Sequence, residues 1–430
     1  MPGRATAHLA LESSTPARNS TSTAAVREIS VVFTQRVEAR YTDLTITDAN
    51  GNTYKGILSA TGTEGRAFTL TLPRELYSGR YTVHWRAAGR DGHVVADSFH
   101  FTVDAPAPAP LPDEEVVADP QPTAQTPPVQ ASVVSSPTAV IVRWLTFAAI
   151  LLTIGSVTFR GAVLARAAQR APDATDWQLL ERATRGVAIF GAISVLVLLA
   201  PRLLIQSLEL NGAERMWNGE ALGNVISGTL WGRGWMIQLV AGILCLYGGI
   251  RATESTGWTI LLIGAALLAF SPAFSGHAAA IQQSVVITVA SDALHVFAAS
   301  AWLGSLAVLF IVVLARIRAG GPAIGVLVNC FSPLAVLAAG VAVLTGTVAA
   351  LAHIGPLSDL WRTGYGRALS LKLAMFAMTA TAGFINWRLI RPALGTDRGS
   401  RVLRGSSAVE LAFAVLILLF TAVLVALPTP

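Results

Sequence analysis

Between about Ile29 and Val103, apolar and polar residues alternate with a period of two, the pattern of strands buried on one face. Ile29-Val31-Phe33, Leu44-Ile46, Phe68-Leu70-Leu72, Tyr81-Val83-Trp85 and Phe99-Phe101-Val103 each put their large side chains on one side. Turn chemistry separates them at Asp48-Ala49-Asn50-Gly51, Ser78-Gly79 and Gly89-Arg90-Asp91-Gly92. Short strands at this spacing predict an Ig-like β-sandwich of roughly 100 residues, assigned to residues 8–104. Residues 105–137 follow with Ala-Pro repeats and an acidic cluster, Asp113, Glu114 and Glu115. That composition buries too little apolar surface to fold, and it predicts a semi-extended tether. From residue 138 the alternation gives way to eight apolar segments. They lie near 138–159, 185–206, 233–250, 257–275, 286–314, 324–350, 369–390 and 407–427, each close to the ~20 residues that cross a hydrocarbon core. Residues 138–430 are therefore expected to form an all-α domain of eight transmembrane helices.

Composition agrees. The chain is 53% hydrophobic and 13% charged, against about 25% charged in soluble domains. Residues 1–137 hold 11 Lys/Arg against 14 Asp/Glu, a net of −3, and residues 138–430 hold 20 against 11, a net of +9. No basic run suits nucleic acid. The excess is arginine in short loops, where it sets membrane orientation. If the β domain is outside, Arg160, Arg166, Arg170, Arg182, Arg185, Arg251, Arg316, Arg318, Arg388, Arg391, Arg398, Arg401 and Arg404 fall inside. Thirteen basic residues against seven elsewhere in this part favour both termini outside, in the plasma (inner) membrane. Ala5-Thr6-Ala7 before His8 has the small residues of a leader cleavage site but no apolar stretch ahead of it. The expectation is that the true start lies upstream. The two cysteines, Cys245 and Cys330, both fall in apolar segments, so no disulfide is expected in the β domain.

Seven histidines carry the candidate chemistry: His8, His84, His93, His100, His277, His295 and His353. His84 and His100 sit at the polar parity of their strands and read as exposed strand residues. His93 lies in the Asp91-Gly92-His93 turn, where a carboxylate and an imidazole can converge. Within the spans, ionisable residues are costly and mark functional sites. The fifth segment carries Asp292 and His295, the latter roughly 15 Å below the outer end at 1.5 Å per residue. The fourth ends Ser271-Pro272-Ala273-Phe274-Ser275-Gly276-His277, and His353 closes the sixth. Asp292 reads as a group that orients His295. Met236, Met375 and Met378 fall in outer halves and Cys245 and Cys330 in inner halves, a descending set of soft ligands suited to Cu(I) or, equally, to packing.

The order of these features resembles two families. His8-Leu-Ala-Leu-Glu-Ser-Ser-Thr-Pro16, Val32-Phe-Thr-Gln-Arg-Val-Glu-Ala-Arg40, Tyr81-Thr-Val-His-Trp85 and Asp91-Gly-His93 resemble the CopC copper-binding family. That resemblance implies a Cu(II) site in which an N-terminal His8 chelates through its amine and ring, completed by Asp91 and His93. It also implies cleavage after Ala7, since an internal His8 has no free amine. The methionine-rich Cu(I) site of some members is absent, Met1 being the only methionine before residue 138. Ser275-Gly-His-Ala278, Asp292-Ala-Leu-His295, Trp302-Leu-Gly304, Phe331-Ser-Pro333, Thr345-Gly346, Tyr365-Gly-Arg-Ala-Leu-Ser-Leu-Lys372 and Asn386-Trp-Arg388 resemble the CopD membrane family over roughly residues 260–392. Ser305 stands where that family commonly has a second glycine, and the first three spans carry little signature. A CopC domain ahead of CopD-like spans is a known arrangement.

The resemblance implies a non-enzymatic protein that captures Cu(II) outside the cell and passes copper to a pathway containing His277, His295, Asp292, His353, Met375 and Met378. Its partners would be copper, the lipid bilayer and other copper-handling proteins. Two alternatives stand: a membrane oxidoreductase with a haem or copper redox centre, and a copper sensor or assembly partner without transport. No nucleotide-binding motif is present in the sequence, so ATP hydrolysis on this chain would not drive transport.

Overall fold

The structure, a computed structural model, describes residues 9–62, 64–89, 92–107, 136–274, 285–314, 322–353, 356–390 and 397–427, with the side chains at 285, 314, 322, 352, 353, 390, 397, 398 and 400 excepted. The chain divides into two compact units.

The first unit is a sandwich of two sheets. One orders its strands β1 (Leu11–Thr15), β3 (Val26–Phe33), β7 (Ala67–Leu76) and β6 (Ile57–Thr61). The other orders β2 (Thr21–Ser22), β9 (Val94–Val103), β8 (Gly79–Ala88), β4 (Asp43–Asp48) and β5 (Thr53–Tyr54). Pairing is antiparallel except for β2 on β9. Strand parity decides the core. Ile29, Val31, Phe33, Phe68, Leu70 and Leu72 of one sheet meet Leu44, Ile46, Val83, Trp85, Phe99 and Phe101 of the other, all buried. Phe33 packs edge-on against Trp85 across the gap, with ring centroids 5.2 Å apart.

Eight helices among the described residues are long and apolar enough to cross a membrane. They are Pro137–Arg170, Trp177–Asn211, Leu230–Arg251, Ser255–Phe274, Val286–Val313, Ala323–Leu351, Gly364–Leu389 and Arg401–Leu424, called spans one to eight below. Each overlaps the segment its hydropathy foretold; the fourth, fifth and seventh end one residue before that segment does and the eighth three residues before. Several begin earlier than apolarity alone suggests. Span seven starts at Gly364 because the Thr363 hydroxyl accepts from the Gly366 N–H at 2.9 Å and caps it. Tyr365 is buried beside that cap.

Spans one and five cross at glycines. A Cβ on Gly304 would lie 2.9 Å from the Gly155 Cα, so the two backbones touch as small-residue membrane crossings do. Ser305, the departure from the family pattern, fits this contact. It is fully buried, donating to the Gly155 carbonyl at 3.2 Å and meeting the Thr158 hydroxyl at 2.9 Å. Span five also contains a π-turn at Ser300–Gly304, and span seven one at Asn386–Ile390. Such one-residue insertions recur at functional sites.

Candidate functional sites

In the β domain, the turn between β8 and β9 is closed by its own backbone. The Gly89 N–H donates to the His93 carbonyl at 2.9 Å and the Gly92 N–H to the Gly89 carbonyl at 3.0 Å. Gly92 has φ +80°, a conformation that other residues adopt only with strain. His93 is half-buried at the entry to β9.

A neighbouring stretch, Thr34–Val37, pins both this turn and the chain's leading edge. At one end Ala10 and Thr34 pair twice, the Ala10 N–H donating to the Thr34 hydroxyl and the Thr34 N–H to the Ala10 carbonyl, each at 2.9 Å. At the other end Val37 bridges Gly89 and the Glu38 N–H donates to the Ala88 carbonyl at 2.9 Å. Leu9 is buried in the sandwich core. Ala10, two residues after His8, and the turn that holds His93 therefore hang on one stretch of three backbone steps, about 10 Å at full extension. His8 and Asp91 themselves lie outside the described residues. Among the described residues, no three His, Cys, Asp or Glu side chains converge as a metal site.

His100 is exposed as expected. His84 differs: it is half-buried, and its Nε2 meets the Thr47 hydroxyl at 3.0 Å on the neighbouring strand. Burial holds its imidazole below the usual histidine range.

In the helical unit, the His295 Nδ1 lies 3.0 Å from the Ala342 carbonyl and 3.1 Å from the Thr345 hydroxyl oxygen, both on span six. Thr345 gives its own proton to the Val341 carbonyl at 2.7 Å. Both partners of Nδ1 are thus acceptors, so Nδ1 carries the hydrogen and the Nε2 lone pair is left for a metal. Gly346 makes the approach possible, because a Cβ there would sit 3.2 Å from the His295 Cε1. The Thr345-Gly346 pair is the cradle of His295. The group that orients His295 among the described residues is therefore span six, where the sequence pointed to Asp292. Asp292 is half-buried one turn above it.

Lys372 of span seven adds a charge that reaches both Asp292 and His295. In the sequence Lys372 closes the Tyr365–Lys372 stretch that resembles CopD and otherwise counts among the basic residues. The signal was available, since it is the sole lysine between residues 138 and 430 and lies within a span. Met375, one turn below it, is half-buried, and Met378 is 44% exposed. Met236 is 42% exposed.

His277 lies outside the described residues, and so does the side chain of His353, whose backbone ends the helix Pro322–His353. Cys245 is fully buried where span three meets span four: a Cβ on Gly264 would lie 2.7 Å from its sulfur. Cys330 is buried and accepts from the Arg170 guanidinium at 3.4 Å. Both fill tight packing.

Sequence reasoning also passed over Glu410 on span eight. It is 4% exposed and accepts a hydrogen bond from the Asn386 amide at the π-turn of span seven.

Three family descriptions match the chain: CopC domain over residues 11–104, Copper resistance protein D-like, N-terminal domain over 134–285, and Copper resistance protein D over 325–424. The second covers the early spans, where sequence reading found little signature. Copper transport protein CutJ of Bacillus subtilis (strain 168) is 26% identical over 443 aligned residues, spanning 100% of this chain and 76% of that protein. Two solved structures align with the β domain. CopC from Methylosinus trichosporium OB3b is 28% identical, covers 24% of this chain and 99% of its own, and has a TM-score of 0.22. PcoC, a methionine-rich copper resistance protein from Escherichia coli, is 22% identical, covers 23% and 99%, and has a TM-score of 0.21.

Proposed function

The chain is a CopC–CopD fusion of the copper transport and resistance family, and from that premise we propose that its β domain captures Cu(II) outside the cell and hands copper to a path through the spans. The domain limits proposed are 8–104 for capture, 105–137 for the tether and 138–430 for the path, in the plasma membrane with both termini outside.

In this reading Cu(II) is cargo. His8 supplies amine and ring nitrogen, Asp91 a carboxylate and His93 an imidazole, a donor set that suits tetragonal Cu(II). The observation that carries it is the Thr34–Val37 stretch. It holds Ala10 at one end and the Gly89–His93 turn at the other, and buried Leu9 fixes the residue next to the chelating terminus. Tethering then raises the local donor concentration toward about millimolar without a new contact. The receiving group is the His295 Nε2, its ring locked by Ala342 and Thr345. Asp292, His277, His353, Met375 and Met378 are the further residues of the path.

The test is Cu(II) binding by the full chain begun at His8 with a free amine, set against the same chain carrying its residues 1–7. Electron paramagnetic resonance should give a tetragonal nitrogen-rich signal only for the free terminus, lost in His93→Ala. Equal binding by both chains would overturn the braced site. Loss of copper uptake into vesicles for His295→Gln, with that signal intact, is the expected mark of the receiving site.

A further inference from the structure

The path just described uses residues of the outer half of the spans and leaves one buried acid unexplained. Glu410 lies nine residues from the Arg401 end of span eight, about 14 Å along the helix, and is 4% exposed. One of its oxygens, Oε1, accepts from the Asn386 side-chain amide. The other, Oε2, faces Gly383 of span seven, where a Cβ would stand 3.9 Å away. The Asn386 Oδ1 is buried with no donor.

An amide and a carboxylic acid complete each other through two hydrogen bonds, N–H to carbonyl and O–H to carbonyl. Here the first is made. A proton on Glu410 would supply the hydrogen for the second: the carboxylate takes up one proton, and the resulting O–H is the donor that the buried Asn386 Oδ1 lacks. A buried acceptor left without a donor is unfavourable, so the pair has a use for that proton.

No other charge does this work. On its own helix Arg404 lies six residues away, about 9 Å. Span seven offers Lys372, 14 residues from Asn386 or about 21 Å, and Arg388, which is exposed. Span one offers Arg160, bound to Glu181 at 3.1 Å, Arg166, Arg170, bound to Cys330, and Arg143, bound to the Ala422 carbonyl at 3.2 Å. Ser305–Leu314 of span five carries no titratable side chain. Among the described residues Glu410 has no ion pair.

We propose that Glu410 and Asn386 form an intramembrane proton-binding site, and that copper movement through the spans is coupled to loading and release of that proton. The coupling rests on the transport reading above; the proton site does not.

The experiment uses the purified full chain, wild type, Glu410→Gln and Asn386→Ala. Glutamine keeps the shape of the acid and accepts from Asn386, so the fold, checked by thermal melting, should persist. Infrared difference spectra taken across pH in H2O and D2O should show a carboxyl C=O band that titrates, shifts in D2O, vanishes in Glu410→Gln and moves in Asn386→Ala. In proteoliposomes, copper uptake should depend on an imposed pH gradient in the wild type and lose that dependence in Glu410→Gln. A titrating band that survives in Glu410→Gln would overturn the site. Uptake by Glu410→Gln with the wild-type gradient dependence would overturn the coupling. Wild-type vesicles that take up no copper, with the band present, would overturn transport and leave the proton site standing.

Discussion

Replacing Gly304 by alanine tests whether the crossing of spans one and five holds the helical unit together. The new Cβ would stand 2.9 Å from the Gly155 Cα and closer still to the Leu151 carbonyl oxygen. Carbon atoms rest at about 3.5–4.0 Å, so the helices must part by roughly 1 Å, a gap that forfeits a quarter to a half of each contact's attraction. Insertion into a packed interior costs about 1–3 kcal/mol. Parting also stretches the Ser305 bonds to the Gly155 carbonyl and to Thr158, each worth about 0.6 kcal/mol in a membrane. The expected destabilisation is therefore about 2–4 kcal/mol. Gly340→Ala is the control, because its Cβ would meet nothing within 4 Å. Equilibrium unfolding in mixed detergent micelles, followed by tryptophan fluorescence, reads the difference; Trp302 sits within the π-turn itself. A loss below about 0.5 kcal/mol for Gly304→Ala, the ordinary range of surface substitutions, would refute the reasoning.

Thr345→Val removes one of the two acceptors that fix the His295 tautomer, and copper uptake should fall by about tenfold, the low end for an orienting partner of a metal ligand; wild-type uptake would sink the role of span six. Gly346→Val should be more severe in the same assay, since its side chain would occupy the space of the His295 ring, while the copper signal of the β domain stays unchanged. In the β domain, burial acts to raise the Asp48 pKa, but hydrogen bonds from Asn52, Tyr54 and Asn50 outweigh it and hold the carboxyl below its usual value. A depressed folded value means that the stability it contributes is present above the unfolded value, about pH 4, and is lost as pH falls through the folded one. The group is largely open to solvent, so the effect is below about 1 kcal/mol. Thermal melts of Asp48→Asn between neutral and acid pH should show that part of the acid sensitivity gone; an unchanged profile would refute it.

The sandwich was legible because its central strands bury one face and expose the other, and each of the five predicted apolar sets is buried. The edge strands were not. β6, Ile57–Thr61, is mostly exposed, so it carries no alternation to read, and its place comes from pairing with β7. The spans were legible by length and apolarity, while their starts depended on caps such as Thr363 that hydropathy ignores. His295 stood out as an ionisable residue at depth, but its partners are a backbone carbonyl and a hydroxyl 47 and 50 residues away, which no local pattern announces. Glu410 escaped for a related reason: Asn386 was visible only as part of a family-like stretch, and the meaning of both residues lies in a pairing 24 residues apart. Lys372 had a visible signal, as the sole lysine after residue 138 and the end of a family-like stretch, but its neighbours on other spans were not legible.

The π-turn at Ser300–Gly304 gives span five two reading frames. Above it the helix presents His295 to Thr345 of span six, and below it Ser305 to Gly155 of span one. The inserted residue sets the angle between those two faces. Deleting one residue there would leave length and apolarity almost untouched, yet would turn the upper half by about 100° relative to the lower. One of the two contacts would then have to be surrendered. Relatives that align across this stretch without a gap should thus share the pairing of this histidine with span six, and a one-residue gap would mark a membrane domain in which that pairing is built differently.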